Sequence, residues 1–185
     1  MTIKLWVLGA MAVFVMTLTT LVLSTAPYSP IFDFKIHRFL HILGAVMFLG
    51  NIVTGAMWMI VTDVTESPSM FRFSIRAINI ADLIFTGPGV VLLVLNGAFM
   101  ATNWNGLWSA AWLKWSLILF ILIGVLWSSI LVPLQIKFEN ICEDKNVFRS
   151  LYVTSSFRKL LVAYFVVGSI TIILALVILF LMVSK

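Results

Sequence analysis

The sequence predicts an all-α integral membrane protein, a polytopic transmembrane helix bundle of five spans that forms one domain over residues 1–185. Of its residues, 62% are hydrophobic and only 10% are charged, whereas soluble domains average roughly 45–50% apolar and 25% charged residues. The apolar residues form runs of about the 20 residues that a helix needs to cross a bilayer. The five runs are residues 5–25, 39–61, 80–101, 115–134 and 160–183.

Charge and cysteine content exclude several other classes. The net charge of +5 is not gathered into a long basic run, so nucleic acid is not an expected partner. The one cysteine, Cys142, excludes an internal disulfide and a cysteine-based metal cluster. The expected surroundings are therefore a lipid bilayer, in the bacterial cytoplasmic (inner) membrane.

The first run resembles a signal peptide, but its apolar core is longer than the usual 7–15 residues or so. Pro27 would directly follow the cleavage-like Ser24-Thr25-Ala26, so we expect an uncleaved first span. A loop over residues 26–38 follows, with Pro27 and Pro30 as helix breakers.

Between the second and third runs, Ser67-Pro68 is typical of a helix N-cap followed by proline at the first helical position. Arg72 and Arg76 lie one turn apart, which predicts a helix at the lipid headgroups. The third run is interrupted by Gly87-Pro88-Gly89.

The remaining segments mark the two membrane surfaces. Trp104, Trp108 and Trp112 crowd one short loop, and tryptophan prefers the membrane interface. Residues 135–159 form a mixed-charge stretch that we expect to be partly helical.

The basic residues predict an orientation. With five spans, one side carries eight of the 12 basic residues and the other carries Lys35, Arg38, Lys114 and Lys185. The positive-inside rule then puts the amino terminus in the cytoplasm and the carboxyl terminus outside.

Two spans carry a polar face. At about 100° per residue, one stripe of the second helix holds His37, His41, Gly44, Phe48, Asn51, Gly55 and Trp58. One stripe of the third holds Asp82, Thr86, Gly89, Leu93, Asn96 and Met100. Such faces are expected to turn toward other helices.

The depths of these residues in the membrane predict which residues of the two polar faces meet. If they face each other, Asn96 approaches the depth of His41, and Asp82 and Thr86 approach that of Asn51. Asp82 is interpreted either as a cap of the third helix or as part of a proton relay or substrate site.

Pro88 removes one backbone hydrogen bond and frees the carbonyl group of Ile84, which Asn51 or Thr86 could satisfy. The alternatives are a kinked helix packed through its glycines and a break that faces a ligand.

Three interpretations of His41 remain open. It can be an unligated histidine bonded within the bundle, or the iron ligand of haem b in a slot shaped by Gly44, Gly89 and Asn51. It can also share a copper or zinc ion with His37. No catalytic residue is identified, because the chain has no nucleophile elbow and no phosphate-binding glycine loop.

Three blocks of sequence resemble a bacterial family of small integral-membrane proteins of unknown function. They are LHILGAVMFLGNIVTG at residues 40–55, FTGPGV at 85–90 and VPLQ at 132–135. More distantly, the histidine block is similar to HemJ-type protoporphyrinogen oxidases and CopD-type copper-resistance proteins. The HemJ likeness implies a bundle of about four core helices with His41 as haem ligand. That pattern continues with an arginine and a second histidine, where this chain has WMIVTD at residues 58–63.

Two functional hypotheses follow. The first is a haem-associated redox or haem-handling protein with His41 as the iron ligand. The second is a non-enzymatic membrane module: a small carrier, a copper-related protein, or an accessory subunit that assembles with itself or with a larger membrane complex.

Overall fold

The computed structural model describes residues 13, 14, 17, 31–65, 67–143 and 154–185, and every regular element in these ranges is helical. In chain order, the elements are α1 (Phe34–Thr65), α2 (Pro68–Ala81), a first π-turn (Asp82–Thr86), α3 (Gly87–Ala101), a 3-10 turn (Thr102–Trp104), α4 (Ala111–Leu126), a second π-turn (Trp127–Leu131), α5 (Val132–Glu143) and α6 (Ser155–Val183).

Four helices in these ranges are long and apolar enough to cross a membrane: Phe34–Thr65, Ser69–Trp104, Ala111–Cys142 and Ser155–Val183. They confirm the second to fifth predicted spans. The predicted first span, residues 5–25, and its cleavage-like site lie almost entirely outside the described residues. A count of five spans therefore stays a prediction.

The segment around Arg72 and Arg76 is not the separate helix that was expected, because it forms the first turns of the third span. Its N-cap is as predicted, because the Ser67 side chain accepts a hydrogen bond from the Met70 N–H and proline follows at the first helical position. From there the helix continues into the bilayer. Phe71 and Ile75 are buried in the bundle core, so this segment belongs to the span itself.

Each π-turn lies just before a proline, Pro88 in one case and Pro133 in the other. In the first, the Gly87 N–H bonds the carbonyl group of Asp82, five residues back, and Val132 bonds Trp127 in the same way. Proline lacks an N–H, and its ring clashes with the carbonyl group four residues earlier. The wider turn removes the clash, so the helix continues through Gly87-Pro88-Gly89 instead of breaking.

The two ends of the bundle differ in their residues. At one end Lys185 Nζ lies 4.6 Å from the ring of Trp104 and 4.7 Å from that of Trp112, and Phe34 packs on Trp104. We call this the histidine end, because α1 starts there. The opposite end, with Arg72 and Arg158, is the arginine end. Which of the two faces the cytoplasm stays a prediction.

The core has two parts. Near the arginine end, one cluster holds Met59, Phe71, Ile75, Ile78, Leu131, Phe138, Cys142, Phe157, Leu161 and Tyr164. A smaller cluster nearer the histidine end holds Phe48, Val90, Ile123 and Ala175. Between them the helices do not close completely, which leaves room for the cavity described below.

Helices α1 and α3 touch through their backbones at two glycines. A Cβ atom added to Gly44 would lie 2.7 Å from the Gly89 carbonyl oxygen and 2.8 Å from the Leu93 nitrogen. A Cβ added to Gly89 would lie 3.0 Å from the Gly44 oxygen. Small residues allow membrane helices to pack at such short separation.

We therefore expect Gly44→Ala to destabilise the protein by about 1–3 kcal/mol, because overpacking a close contact forces the two backbones apart. Gly50→Ala on the same helix is the matched control, since nothing lies within 4 Å of its added Cβ. Thermal unfolding of both variants in one detergent tests this. Equal melting temperatures for the two variants would contradict the close approach.

Candidate functional site

The polar side chains in the middle of the bundle converge on one carboxyl group, that of Asp82. The Asn51 amide donates to Asp82 Oδ1 at 2.8 Å and to Thr86 Oγ1 at 2.8 Å. Thr86 donates to the same carboxylate oxygen at 3.0 Å, and Gln135 donates to Asp82 Oδ2 at 3.1 Å. These hydrogen bonds confirm the predicted contact between the polar faces of the second and third spans.

The fourth and last spans complete this network. Gln135 Nε2 also donates to the Tyr164 hydroxyl group at 3.4 Å, and Trp127 provides a further side-chain hydrogen bond to Asp82. Helices α1 and α5 thus reach the first π-turn through polar side chains, and α6 joins the network through Gln135. We call Asn51, Asp82, Thr86, Gln135 and Tyr164 the central network.

A second pair of polar residues extends the network toward the arginine end. Asn79 Nδ2 donates to Glu139 Oε2 at 2.8 Å. Asn79 precedes Asp82 by three residues and Glu139 follows Gln135 by four, so each pair shares a helix face. The pairs Asp82–Gln135 and Asn79–Glu139 therefore form two rungs, one turn apart, between antiparallel helices.

A cavity of about 730 Å³ adjoins the central network. Among the described residues, its walls are mostly apolar, with Phe48, Ile52, Val90, Phe120 and Ile123 on several helices. The polar lining residues are Asn51, Asn79, Asp82, Thr86, Trp127, Gln135, Tyr164 and Thr171, and they include all five members of the central network.

Asp82 has no cationic partner within the described ranges. The ion pair found there, Arg158–Asp63, lies at the arginine end. Its hydrogen-bonded partners, Asn51, Thr86, Gln135 and Trp127, are all neutral donors. An uncompensated carboxylate in hydrocarbon is costly, so a proton or a nearby cation would stabilise this group.

Near the histidine end, the polar side chains form a separate group. The Phe32 N–H donates to His37 Nε2 at 3.2 Å, so His37 Nδ1 carries the proton and donates to Asn96 Oδ1 at 2.8 Å. His37 also stacks on Phe99. The Gly44–Gly89 contact separates this group from the central network.

His41 lies beside this pair. Its Nδ1 donates to the Leu93 carbonyl oxygen at 2.8 Å. The ring fits because position 97 is glycine, where a Cβ would come within 3.1 Å of His41 Cε1. His41 does turn toward α3, as predicted, but it lies against backbone.

The residues predicted to hold haem b do not fit that group. The predicted slot between Gly44 and Gly89 is filled by the two helix backbones. Of the four predicted residues, Asn51 lines the cavity, whereas His41, Gly44 and Gly89 do not. The geometry thus does not support haem at His41.

A metal shared by the two histidines is not favoured either. Both ring nitrogens of His37 are already in hydrogen bonds. Within the described ranges, no group of three or more His, Cys, Asp or Glu side chains could hold a metal ion.

Asp82 does not cap the N-terminus of its helix, contrary to the first of its two interpretations. The helix begins at Pro68, and Asp82 lies inside it as the first residue of the π-turn. Asn51 and Thr86 donate to the Asp82 carboxylate, whereas the sequence predicted that one of them would satisfy the carbonyl group of Ile84.

Four residues of the site are not among those that the sequence predicts: Gln135, Tyr164, Glu139 and Asn79. The hydropathy pattern places Gln135 and Glu139 in a polar stretch outside the fourth span, but the helix continues to Glu143. The signal that could have found them is the spacing of Gln135, Glu139 and Cys142, at steps of four and three, which is one face of a continuing helix.

One comparison with known proteins gives a match. Residues 35–185 match a family model described as a predicted integral membrane protein (DUF2269). No match is found among curated proteins or among solved structures. The likeness to HemJ-type and CopD-type proteins therefore stays a prediction.

The central network predicts energetic coupling between Asn51 and Asp82. In a double-mutant cycle with Asn51→Leu and Asp82→Leu, we expect a coupling energy of roughly 0.6–1.7 kcal/mol, which runs from the average to the maximum for hydrogen bonds in a membrane bundle. Asn51→Leu combined with Asn96→Leu is the control, because distant sites add within about 0.5 kcal/mol. Unfolding in mixed micelles measures both cycles. Additive effects in the first cycle would rule out this hydrogen bond.

Proposed function

The chain belongs to the DUF2269 family of predicted integral membrane proteins, and from that premise we propose that it is a small carrier or binding protein of the membrane. Its ligand is a mostly apolar molecule with a cationic end. The apolar part occupies the central cavity, and the cationic end binds the carboxylate of Asp82. The observation that carries this proposal is a carboxyl group without a described cationic partner on the wall of a mostly apolar cavity.

The size and lining of the cavity support small-molecule binding. Ligand sites are typically clefts of about 300–1,000 Å³, lined by apolar and aromatic side chains with a few convergent polar groups. The cavity measures about 730 Å³, and three of its polar side chains gather around Asp82. It therefore suits a ligand with one polar end and an apolar body, and suits a highly charged solute poorly.

The hydrogen bonds of Asp82 support its role as the anchor. Asn51, Thr86 and Gln135 hold both carboxylate oxygens from different directions. A carboxylate fixed in this way loses little conformational entropy when a ligand binds, and such preorganisation favours affinity. Because a proton and a cationic ligand neutralise the same group, the two compete for Asp82. This competition would couple ligand release to proton uptake.

The proposal includes the orientation of the protein in the membrane. The arginine end carries five basic residues: Arg72, Arg76, Lys137, Arg158 and Lys159. The positive-inside rule places that end in the cytoplasm of a bacterial inner membrane. The Asn79–Glu139 rung then lies between Asp82 and the cytoplasmic surface, and gives protons a polar approach to Asp82 from that side.

Photolabelling tests the proposed ligand class. The probe is an eight-carbon alkylamine with a diazirine at its apolar end, added to the protein in nanodiscs. We expect labelling of cavity residues such as Phe48, Ile52 or Phe120, mapped by mass spectrometry. Asp82→Asn should reduce it by roughly 30-fold or more, since losing one partner of a buried charge pair costs about 2–5 kcal/mol.

Two controls sharpen this test. Asp63→Asn makes the same chemical change at the surface, outside the cavity, and should leave labelling unchanged. The corresponding eight-carbon alcohol should label wild type and Asp82→Asn equally. The proposal fails if amine and alcohol label alike in both proteins, or if labelling maps outside the cavity.

A further inference from the structure

A second concave surface lies on another face of the helix that carries Asp82. It is a groove of about 540 Å³ along α2 and the first π-turn. The described residues that line it follow each other at helical spacing along one stripe: Ser69, Arg72, Phe73, Arg76, Ala77, Ile80, Ala81, Ile84 and Phe85. We call it the arginine groove. It shares no described lining residue with the central cavity.

The groove is positively charged at the part nearest the arginine end of the bundle. Arg72 and Arg76 contribute two cations, and no carboxylate is among the described lining residues. Among the described residues, neither arginine forms an ion pair. Guanidinium groups bind phosphate and carboxylate oxygens through charge-assisted hydrogen bonds, so the groove is complementary to an anion with several oxygens.

The rest of the groove is apolar and faces away from the bundle core. Phe73, Ile80, Ile84 and Phe85 are each about half exposed. From Arg72 to Ile84 is a rise of about 18 Å along the helix, which compares with about 15 Å for half of the hydrocarbon core. The groove thus extends from headgroup level to the middle of the bilayer, the depth of one leaflet.

We propose that the arginine groove is a binding site for one anionic phospholipid. The lipid phosphate lies between Arg72 and Arg76, where guanidinium groups form charge-assisted hydrogen bonds with phosphate oxygens. An acyl chain follows the stripe from Phe73 to Phe85. A bilayer supplies such a ligand in place, and basic residues at the membrane surface attract anionic lipids. This site is independent of the function proposed for Asp82.

Native mass spectrometry of the full chain tests the site. The protein is released from nanodiscs of equal phosphatidylglycerol and phosphatidylcholine, and the retained lipids are counted. We expect one retained phosphatidylglycerol, preferred over phosphatidylcholine by roughly 30-fold, since each of two basic residues near an anionic surface contributes about fivefold. The double variant Arg72→Gln with Arg76→Gln should abolish that preference, so that the two lipids are retained at a ratio of about one.

Two further variants separate this site from general attraction to basic residues. Lys137→Gln with Lys159→Gln removes two exposed cations at the same end and should keep the preference. Ala81→Trp keeps both arginines but fills the groove, and should lower retention of phosphatidylglycerol.

Three results would overturn the proposal. In the first, the lysine variant loses the preference as fully as the arginine variant. In the second, Ala81→Trp has no effect, which would mean that the acyl chain does not lie in the groove. In the third, free glycerol 3-phosphate at millimolar concentration displaces the lipid completely, which would mean that the site recognises phosphate alone.

Discussion

The approach of α1 and α3 at Gly44 and Gly89 is the contact on which the rest of the structure depends. It brings the two backbones to a separation that any side chain would prevent. Two turns farther along α1, the same approach puts the Asn51 amide within hydrogen-bond distance of both Asp82 and Thr86. Without it, the carboxyl group of Asp82 would lose one of the donors that hold it in place.

The two π-turns shape the backbone around the central cavity, beside Asp82. Each accommodates a proline while keeping the helix continuous, and the first residue of each, Asp82 in one and Trp127 in the other, lines the central cavity. Single π-turns inside α-helices are often found at functional sites. Here both widened turns lie at the same cavity, between the two clusters of the core, so the irregular backbone and the incomplete packing occur together.

The helix from Ser69 to Trp104 therefore presents two unlike faces. One bears Asn79, Asp82 and Thr86 and turns into the bundle. The other bears the arginine groove and turns toward lipid. A ligand in the cavity and a lipid in the groove would contact the same helix from two sides. The histidine end contributes to helix packing, since its hydrogen bonds join α1 to α3 without forming a cavity for a ligand.

The membrane class, four of the spans and the Ser67 N-cap can be predicted from the residues alone, because hydropathy and capping depend on residues close together in the chain. The faces of α1 and of the Asp82 helix that carry polar groups can be predicted too, since helical periodicity is local. The packing of the helices was needed to show that Gln135 and Tyr164 complete the central network, and that Gly44 and Gly89 pack on each other instead of leaving a slot for haem. The rotation and separation of helices follow from how all side chains pack at once, and no single span encodes that.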